Sequence, residues 1–288
     1  MDHGPIDRLL EYLEVQRVDR YLFTGQSPAR PRRIFGGQVL AQSLNAALRS
    51  VDEALEAHSM HAYFLRPGDP SRQIVFEVDP IRDGRSFATR RVVAKQDGRA
   101  IFNTAISFQR SEAGLEHQAS PVTVTPPEEL ESDYDFWTRK HEENPDRYPA
   151  PLAQAIERRV VNRRDYDNPQ PQDPVQHSWF RANGEVGDDP RRHQVLLAFM
   201  SDFALLGASL LPHPYTAQSP GMQVASLDHA LWFHRPARAD EYLLYAMDSP
   251  NASGGRGFCR GQFFTRDGRL VASTAQEALI RRREESAG

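Results

Sequence analysis

The sequence predicts an α+β protein in which one structural unit, an antiparallel sheet wrapped around a long helix, is written twice. Two observations predict it. A helix-then-strands order recurs along the chain, and four short motifs repeat in the same order roughly 170 residues apart. A third observation, the places where the two copies disagree in polarity, points to where chemistry sits.

In the first copy, residues 6–18 carry Leu9, Leu10 and Leu13 at helical spacing and predict a short surface helix. Phe35-Gly36-Gly37-Gln38 then opens a helix whose apolar face holds Val39, Leu40, Leu44, Ala47 and Leu48. Strand-like runs follow at 60–66, 73–79, 86–95 and 99–109. Turn signals part them at Arg66-Pro67-Gly68, Asp83-Gly84 and Asp97-Gly98.

The C-terminal third repeats this order. Tyr63-Phe64-Leu65-Arg66-Pro67 matches Trp232-Phe233-His234-Arg235-Pro236 at an offset of 169. Arg85-Ser86-Phe87 matches Arg256-Gly257-Phe258 at 171, which implies a two-residue loop insertion. Asp97-Gly98-Arg99 matches Asp267-Gly268-Arg269, and Thr104-Ala105 matches Thr274-Ala275, both at 170. The first unit is therefore placed at 1–110. A connector rich in Pro, Glu and Asp, with a little irregular structure, takes 111–155. The second unit takes 156–288 and opens with strands at 156–161 and 176–181. A curved sheet around an apolar helix buries most of the helix surface, and two such units side by side can pair their edge strands.

Composition narrows the function. The chain has 288 residues, 39% hydrophobic and 26% charged, as expected of a soluble globular protein. Ser201, Asp202 and Ser209 interrupt the longest apolar run, 196–211, so no membrane insertion is expected. The first 13 residues lack a signal-peptide core, and a cytoplasmic location is expected. A net charge of −4 gives no electrostatic case for nucleic acid. The pairs Arg32–Arg33, Arg163–Arg164 and Arg191–Arg192 suit either a phosphate clamp or solvated surface. One cysteine, Cys259, excludes an internal disulfide and multi-cysteine zinc patterns.

Comparing the copies isolates two residues. Asp202 lies in Leu196–Leu206, apolar on nearly every side; aligning Gln194-Val195-Leu196 on Gln38-Val39-Leu40 sets it opposite Ala46. A buried carboxylate must find partners or raise its pKa; the plain alternative is a structural Asp capping a backbone group. Gln276 shares a strand face with Leu270, Ala272, Thr274 and Ala278, where the first copy has Ile106. It is either hydrogen-bonded inside or exposed on an edge. Ser226 opens a strand and is unremarkable in itself. Strand parity puts Asp228 on its face and His229 on the other, and Asp228 ranks as supporting. His58 and His61 read as strand packing, and Cys259 as a buried packing residue. No Gly-x-Ser-x-Gly elbow is present.

Phe35-Gly36-Gly37-Gln38, Phe64-Leu65-Arg66-Pro67-Gly68, Ser226-Leu227-Asp228-His229 with Trp232–Pro236, and Ala272–Glu277 together resemble the type II acyl-CoA thioesterases, TesB-like double-hotdog enzymes. The resemblance runs over nearly the whole chain. It implies a double hotdog fold, acyl-CoA as substrate, no cofactor or metal, and a homo-oligomer. It also implies that Asp202, Ser226 and Gln276 hold the attacking water, Asp202 as general base. Threonine is the family's usual middle residue, so Ser226 departs from the pattern while keeping the hydroxyl. The thioester oxygen needs donors, which backbone N–H groups at a helix start supply, near Gly36 and Gly37 or at the second long helix. Two rivals stand beside this reading: a double-hotdog enoyl-CoA hydratase, and a non-catalytic acyl-CoA-binding protein.

Overall fold

A computed structural model describes residues 4–28 and 33–283, so Arg32 lies outside the described residues. Helix α1 (Pro5–Leu13) leads into the hairpin β1 (Gln16–Asp19) and β2 (Leu22–Gly25). Helix α2 (Gly36–Leu48) precedes β3 (Leu55–Phe64), β4 (Ile74–Asp83), β5 (Phe87–Gln96) and β6 (Arg99–Arg110). Next come a 3-10 turn (Pro127–Glu129), α3 (Asp133–Glu143), β7 (Ile156–Val160) and β8 (Val175–Ala182). Helix α4 (Pro190–Ser201) and a 3-10 run (Leu205–Leu210) are followed by β9 (Met222–Ser226), β10 (Asp228–Phe233), β11 (Leu243–Ser253), β12 (Arg256–Phe264) and β13 (Leu270–Arg282).

The strands form one antiparallel sheet in the order β1-β2-β4-β5-β6-β3-β10-β13-β12-β11-β8-β7, with β9 also paired to β13. Read outward from the middle, the halves repeat each other: β3-β6-β5-β4-β2-β1 on one side, β10-β13-β12-β11-β8-β7 on the other. The central pairing carries the duplication in its register. Ser59 faces Trp232, His61 faces Ala230 and Tyr63 faces Asp228; the offset of 169 maps the first and last of these pairs onto each other and the middle pair onto itself. A pseudo-twofold axis therefore passes between His61 and Ala230, and joining β3 to β10 removes two sheet edges.

Helices α2 and α4 lie side by side under the sheet. The α2 N-terminus meets the end of α4 at Phe199 and Asp202, while Arg191, at the α4 start, donates to Leu48 O at the α2 end (3.0 Å), so the two run antiparallel. Both are buried around most of their circumference, which is why their apolar residues are not confined to one stripe. The run Pro190–Leu210 is long and apolar enough to cross a membrane by composition, yet it is 72% buried inside the protein.

Several expectations change. The proposed helix over 6–18 stops at Leu13, and a hairpin follows. Strand β3 begins at Leu55, because Leu55 and Ala57 are buried between the polar Glu56 and His58. The connector holds an eleven-residue helix, α3, where only a little irregular structure was expected. Its apolar residues lack periodicity; it stands on the Ser132 cap, which accepts from Asp135 N–H, and on Phe136, Trp137 and Tyr166 packed against one another, the first two edge to face. Of the paired arginines, Arg33 and Arg192 are exposed, while Arg163, Arg164 and Arg191 are structural. Arg163 pairs with Asp133 at 2.6 Å. Arg164 is buried and donates to the carbonyls of Leu210, Tyr215, Gln170 and His213. Arg191 donates to those of Leu48, Asp52 and Leu55.

Candidate active site

Asp202 is the C-cap of α4, not a residue within it. The chain turns directly afterwards, with Ala204 at φ 64 before the 3-10 run. A left-handed alanine costs on the order of 1 kcal/mol; it ends the helix so that the carboxylate faces the α2 N-terminus. Helix ends also correct the copy-to-copy register. The N-caps Phe35 and Asp189 are 154 apart and the C-caps Arg49 and Asp202 are 153 apart. The partner of Asp202 is thus at Leu48–Arg49 rather than Ala46.

At the α2 N-terminus, Gly37 N–H donates to the Asp202 carboxylate, in line with the positive end of the helix dipole. A Cβ on Gly36 would lie 2.5 Å from Asp202 Oδ2 and 2.9 Å from the Phe64 ring, and one on Gly37 would collide with Phe199 O. Glycine is what lets the helix start close on the carboxylate. The other helix start, Pro190, stands twelve residues from Asp202, roughly 18 Å along α4. Only the glycine pair is near.

Gln276 is fully buried, on the inner face of β13; the exposed-edge alternative falls. Its Nε2 donates to Ser226 Oγ at 2.7 Å, and Ser226 Oγ donates to Asp202 Oδ1 at 3.1 Å. The three residues singled out from the sequence therefore meet, brought from a helix end and two strands. Burial drives the Asp202 carboxyl up to about 7, against the opposing pull of the bonds from Ser226, Gly37 N–H and Gln276. Around it stand aromatic rings: Phe35 lies 5.3 Å from Phe199 and 4.8 Å from Phe203, and Phe64 lies 5.3 Å from Phe102.

Strand parity fails at this site, and a bulge is the reason. Ser226 pairs with Ala278, while Ala230 pairs with Ala275, so one extra residue is taken up between them. His229, not Asp228, consequently points inward with Ser226. Its Nδ1 lies 2.7 Å from Gln276 Oε1 and its Nε2 2.9 Å from Ser201 Oγ. Asp228 Oδ1 accepts Glu277 N–H at 2.6 Å. Sequence reasoning missed His229, Ser201 and Tyr245, whose hydroxyl donates to Ser201 O at 2.8 Å. The first copy has a matching shift between Ala57 and Ser59; no sequence pattern announces either one.

His58 bonds Ser107 Oγ at 2.8 Å, and His61 stacks edge-on against Trp232, as strand packing predicts. His234 bonds Ser273 Oγ at 2.8 Å. Cys259 is fully buried, and burial pushes its thiol upward.

The pseudo-twofold axis relates this site to a cleft of about 280 Å3 at the other end of the helices, lined by Ala57, Arg110, Arg191, Gln194 and Phe233 among others. There Ala57 replaces Ser226 and Ile106 replaces Gln276.

Comparison with known proteins decides the family. Residues 149–279 match the acyl-CoA thioesterase family, and residues 26–109 match the acyl-CoA thioesterase N-terminal domain. The chain is 40% identical to acyl-CoA thioesterase 2 of Haemophilus influenzae, over 96% of this chain and 98% of that one. The chain belongs to the acyl-CoA thioesterase family. Human acyl-coenzyme A thioesterase 8 is also 40% identical, over 93% of this chain and 87% of its own length. The crystal structure of acyl-CoA thioesterase II TesB2 from Mycobacterium marinum superposes with a TM-score of 0.79 at 40% identity, covering 95% and 98% of the two chains. This acyl-CoA thioesterase is thus a TesB-like double hotdog. Likeness to the dehydratase domain of PpsC from Mycobacterium tuberculosis, at 9% identity and a TM-score of 0.51, is one of fold.

Proposed function

We propose that the enzyme hydrolyses acyl-CoA by direct attack of a water held among Asp202, Ser226 and Gln276, with no acyl-enzyme. The observation that carries this reading is the Ser226 hydroxyl, which bridges Gln276 and Asp202 at 2.7 and 3.1 Å. Ser226 is only partly buried and Asp202 is 7% exposed, so a small molecule can approach both.

A carboxylate whose pKa is about 7 is half ionised at neutral pH and retains a strong driving force for taking a proton. Water attacks the thioester carbon as its proton passes to Asp202. The resulting oxyanion faces the α2 N-terminus, where the Gly36 N–H and the positive helix end stabilise it; Gly37 N–H is taken up by Asp202 itself. Collapse breaks the C–S bond, the thiolate of CoA takes the proton back from Asp202, and the products are the free acid and CoA. The Phe35, Phe199 and Phe203 rings give the acyl chain an apolar wall beside the carboxylate. With Ala57 and Ile106 at the related positions, the doubled fold builds one reactive centre.

Single turnover in 18O-water tests the route. Label in one carboxylate oxygen of the released acid, and no acyl-protein adduct after quenching, are expected. An Asp202→Asn enzyme that releases CoA at the wild-type rate would overturn the proposal.

A further inference from the structure

We propose that His229 is a positioning residue: it holds the Gln276 amide in the one orientation that lets Ser226 donate to Asp202. This rests on the water-attack reading above and extends it outward by one layer.

Hydrogen-bond directions follow from the carboxylate. Ionised Asp202 only accepts, so the Ser226 proton points to it. Ser226 Oγ must then accept, and the group opposite it is Gln276 Nε2. The amide orientation is thereby set, with Oε1 facing His229 Nδ1 at 2.7 Å. Oε1 accepts only, so Nδ1 must carry the hydrogen. Burial lowers the His229 pKa to about 4, so the ring is neutral and Nε2 is a bare acceptor. Ser201 Oγ lies 2.9 Å from Nε2 and 2.8 Å from Ala198 O, and its single proton turns to the bare Nε2 rather than to that carbonyl. Ser201–His229–Gln276–Ser226–Asp202 is therefore one chain of donors, all aimed at the carboxylate. Its outer members His229 and Ser201 are 1% and 0% exposed, so no solvent substitutes for them.

Other ionisable groups packed around the chain do not set its direction. Tyr245 on β11 is held neutral by burial, its hydroxyl shared between Ser201 O and Thr274 Oγ1. Asp228 on β10 faces Glu277 N–H, Glu277 on β13 pairs with Arg256, and the Cys259 thiol on β12 is pushed upward by burial. Helix α2 has no ionisable residue. Without the His229 N–H, Gln276 Oε1 is a buried acceptor with no donor. The amide is then no longer pinned, and a flip turns Oε1 toward Ser226 and draws the Ser226 proton off Asp202.

The test compares His229→Leu, His229→Asn, Ser201→Ala and Gln276→Ala in the full chain, with decanoyl-CoA and a thiol reagent from pH 5.5 to 9. His229→Leu is expected to lower kcat about 100-fold at nearly constant KM. It also moves the acidic limb of the kcat profile to higher pH, because Asp202 loses a donor. Asn keeps an N–H where Nδ1 stood, and His229→Asn is expected to restore both kcat, to within about fivefold, and the limb. Ser201→Ala frees the tautomer and shifts the limb the same way, which keeps the test decisive if the leucine variant does not fold. Equal losses in the Asn and Leu variants, or an unmoved limb in both Leu and Ala variants, overturn the role of His229. If Gln276→Ala retains full kcat, the site reading itself fails; if that variant is impaired while His229→Leu is not, only this inference fails.

Discussion

The carboxylate of Asp202, at the end of one helix, accepts the hydroxyl proton of Ser226 across 3.1 Å, although 24 residues of chain separate them. Burial of Asp202 outweighs this bond, and the carboxyl is pushed up to about 7 rather than lying in the usual acidic range.

On the proposed water-attack route, activity is expected to follow Asp202 ionisation. With a pKa of about 7, kcat/KM for a short acyl-CoA is expected to rise about tenfold from pH 6 to pH 8 along a single-proton limb. A profile flat down to pH 5 would show that the base is another group.

The same shift has a stability consequence of opposite sense. The folded carboxyl holds its proton more tightly than an unfolded one, whose value is 3.8. The stability this contributes is complete below about pH 4 and is lost as pH rises through 7. Asp202→Asn cannot ionise, so it is expected to melt several degrees above wild type at pH 8, the gap closing by pH 4. Calorimetry at the two pH values reads it; a lower melting temperature for the variant at pH 8 would contradict the assignment.

Close approach at Gly36 predicts a steric lesion. A Cβ there would lie 2.5 Å from Asp202 Oδ2, so Gly36→Ala must displace the carboxylate. An ångström of misplacement costs on the order of 100-fold in rate, and kcat is expected to fall by about that while the far-UV circular dichroism stays native.

Ser226 tests whether the hydroxyl or the residue matters. Ser226→Ala removes both the bond to Asp202 and the acceptor for Gln276, and kcat is expected to drop about 10- to 100-fold. Ser226→Thr keeps the hydroxyl and should stay within a few fold of wild type. Steady-state kinetics on the two variants separate the cases.

Alkylation of the buried Cys259 thiol is expected to be slow. Loss of activity before alkylation is detectable by mass spectrometry would point to a different sensitive group.

The doubled architecture and two of the three central residues were legible in the chain because both are matters of pattern. A repeat shows as matched motifs, and a polar side chain in an apolar context shows as a mismatch, as with Asp202 beside Phe199 and Met200, or Gln276 in place of Ile106. Ser226 came through family resemblance, since one serine at a strand start carries no such mismatch. The connector helix and the N-terminal hairpin stayed hidden, because caps, aromatic clusters and tertiary pairing, rather than periodicity, hold them.

What the chain determined by itself was the duplication, the polar residues Asp202 and Gln276 set among apolar neighbours, and the asymmetry between the copies. Only the tertiary structure decided that Asp202 ends its helix, that the glycine-led start of α2 meets it, and that His229 rather than Asp228 turns toward Gln276. Those outcomes depend on a one-residue bulge between paired strands and on two helices lying antiparallel. Strand register and helix docking are set by contacts between distant segments, which local periodicity does not encode.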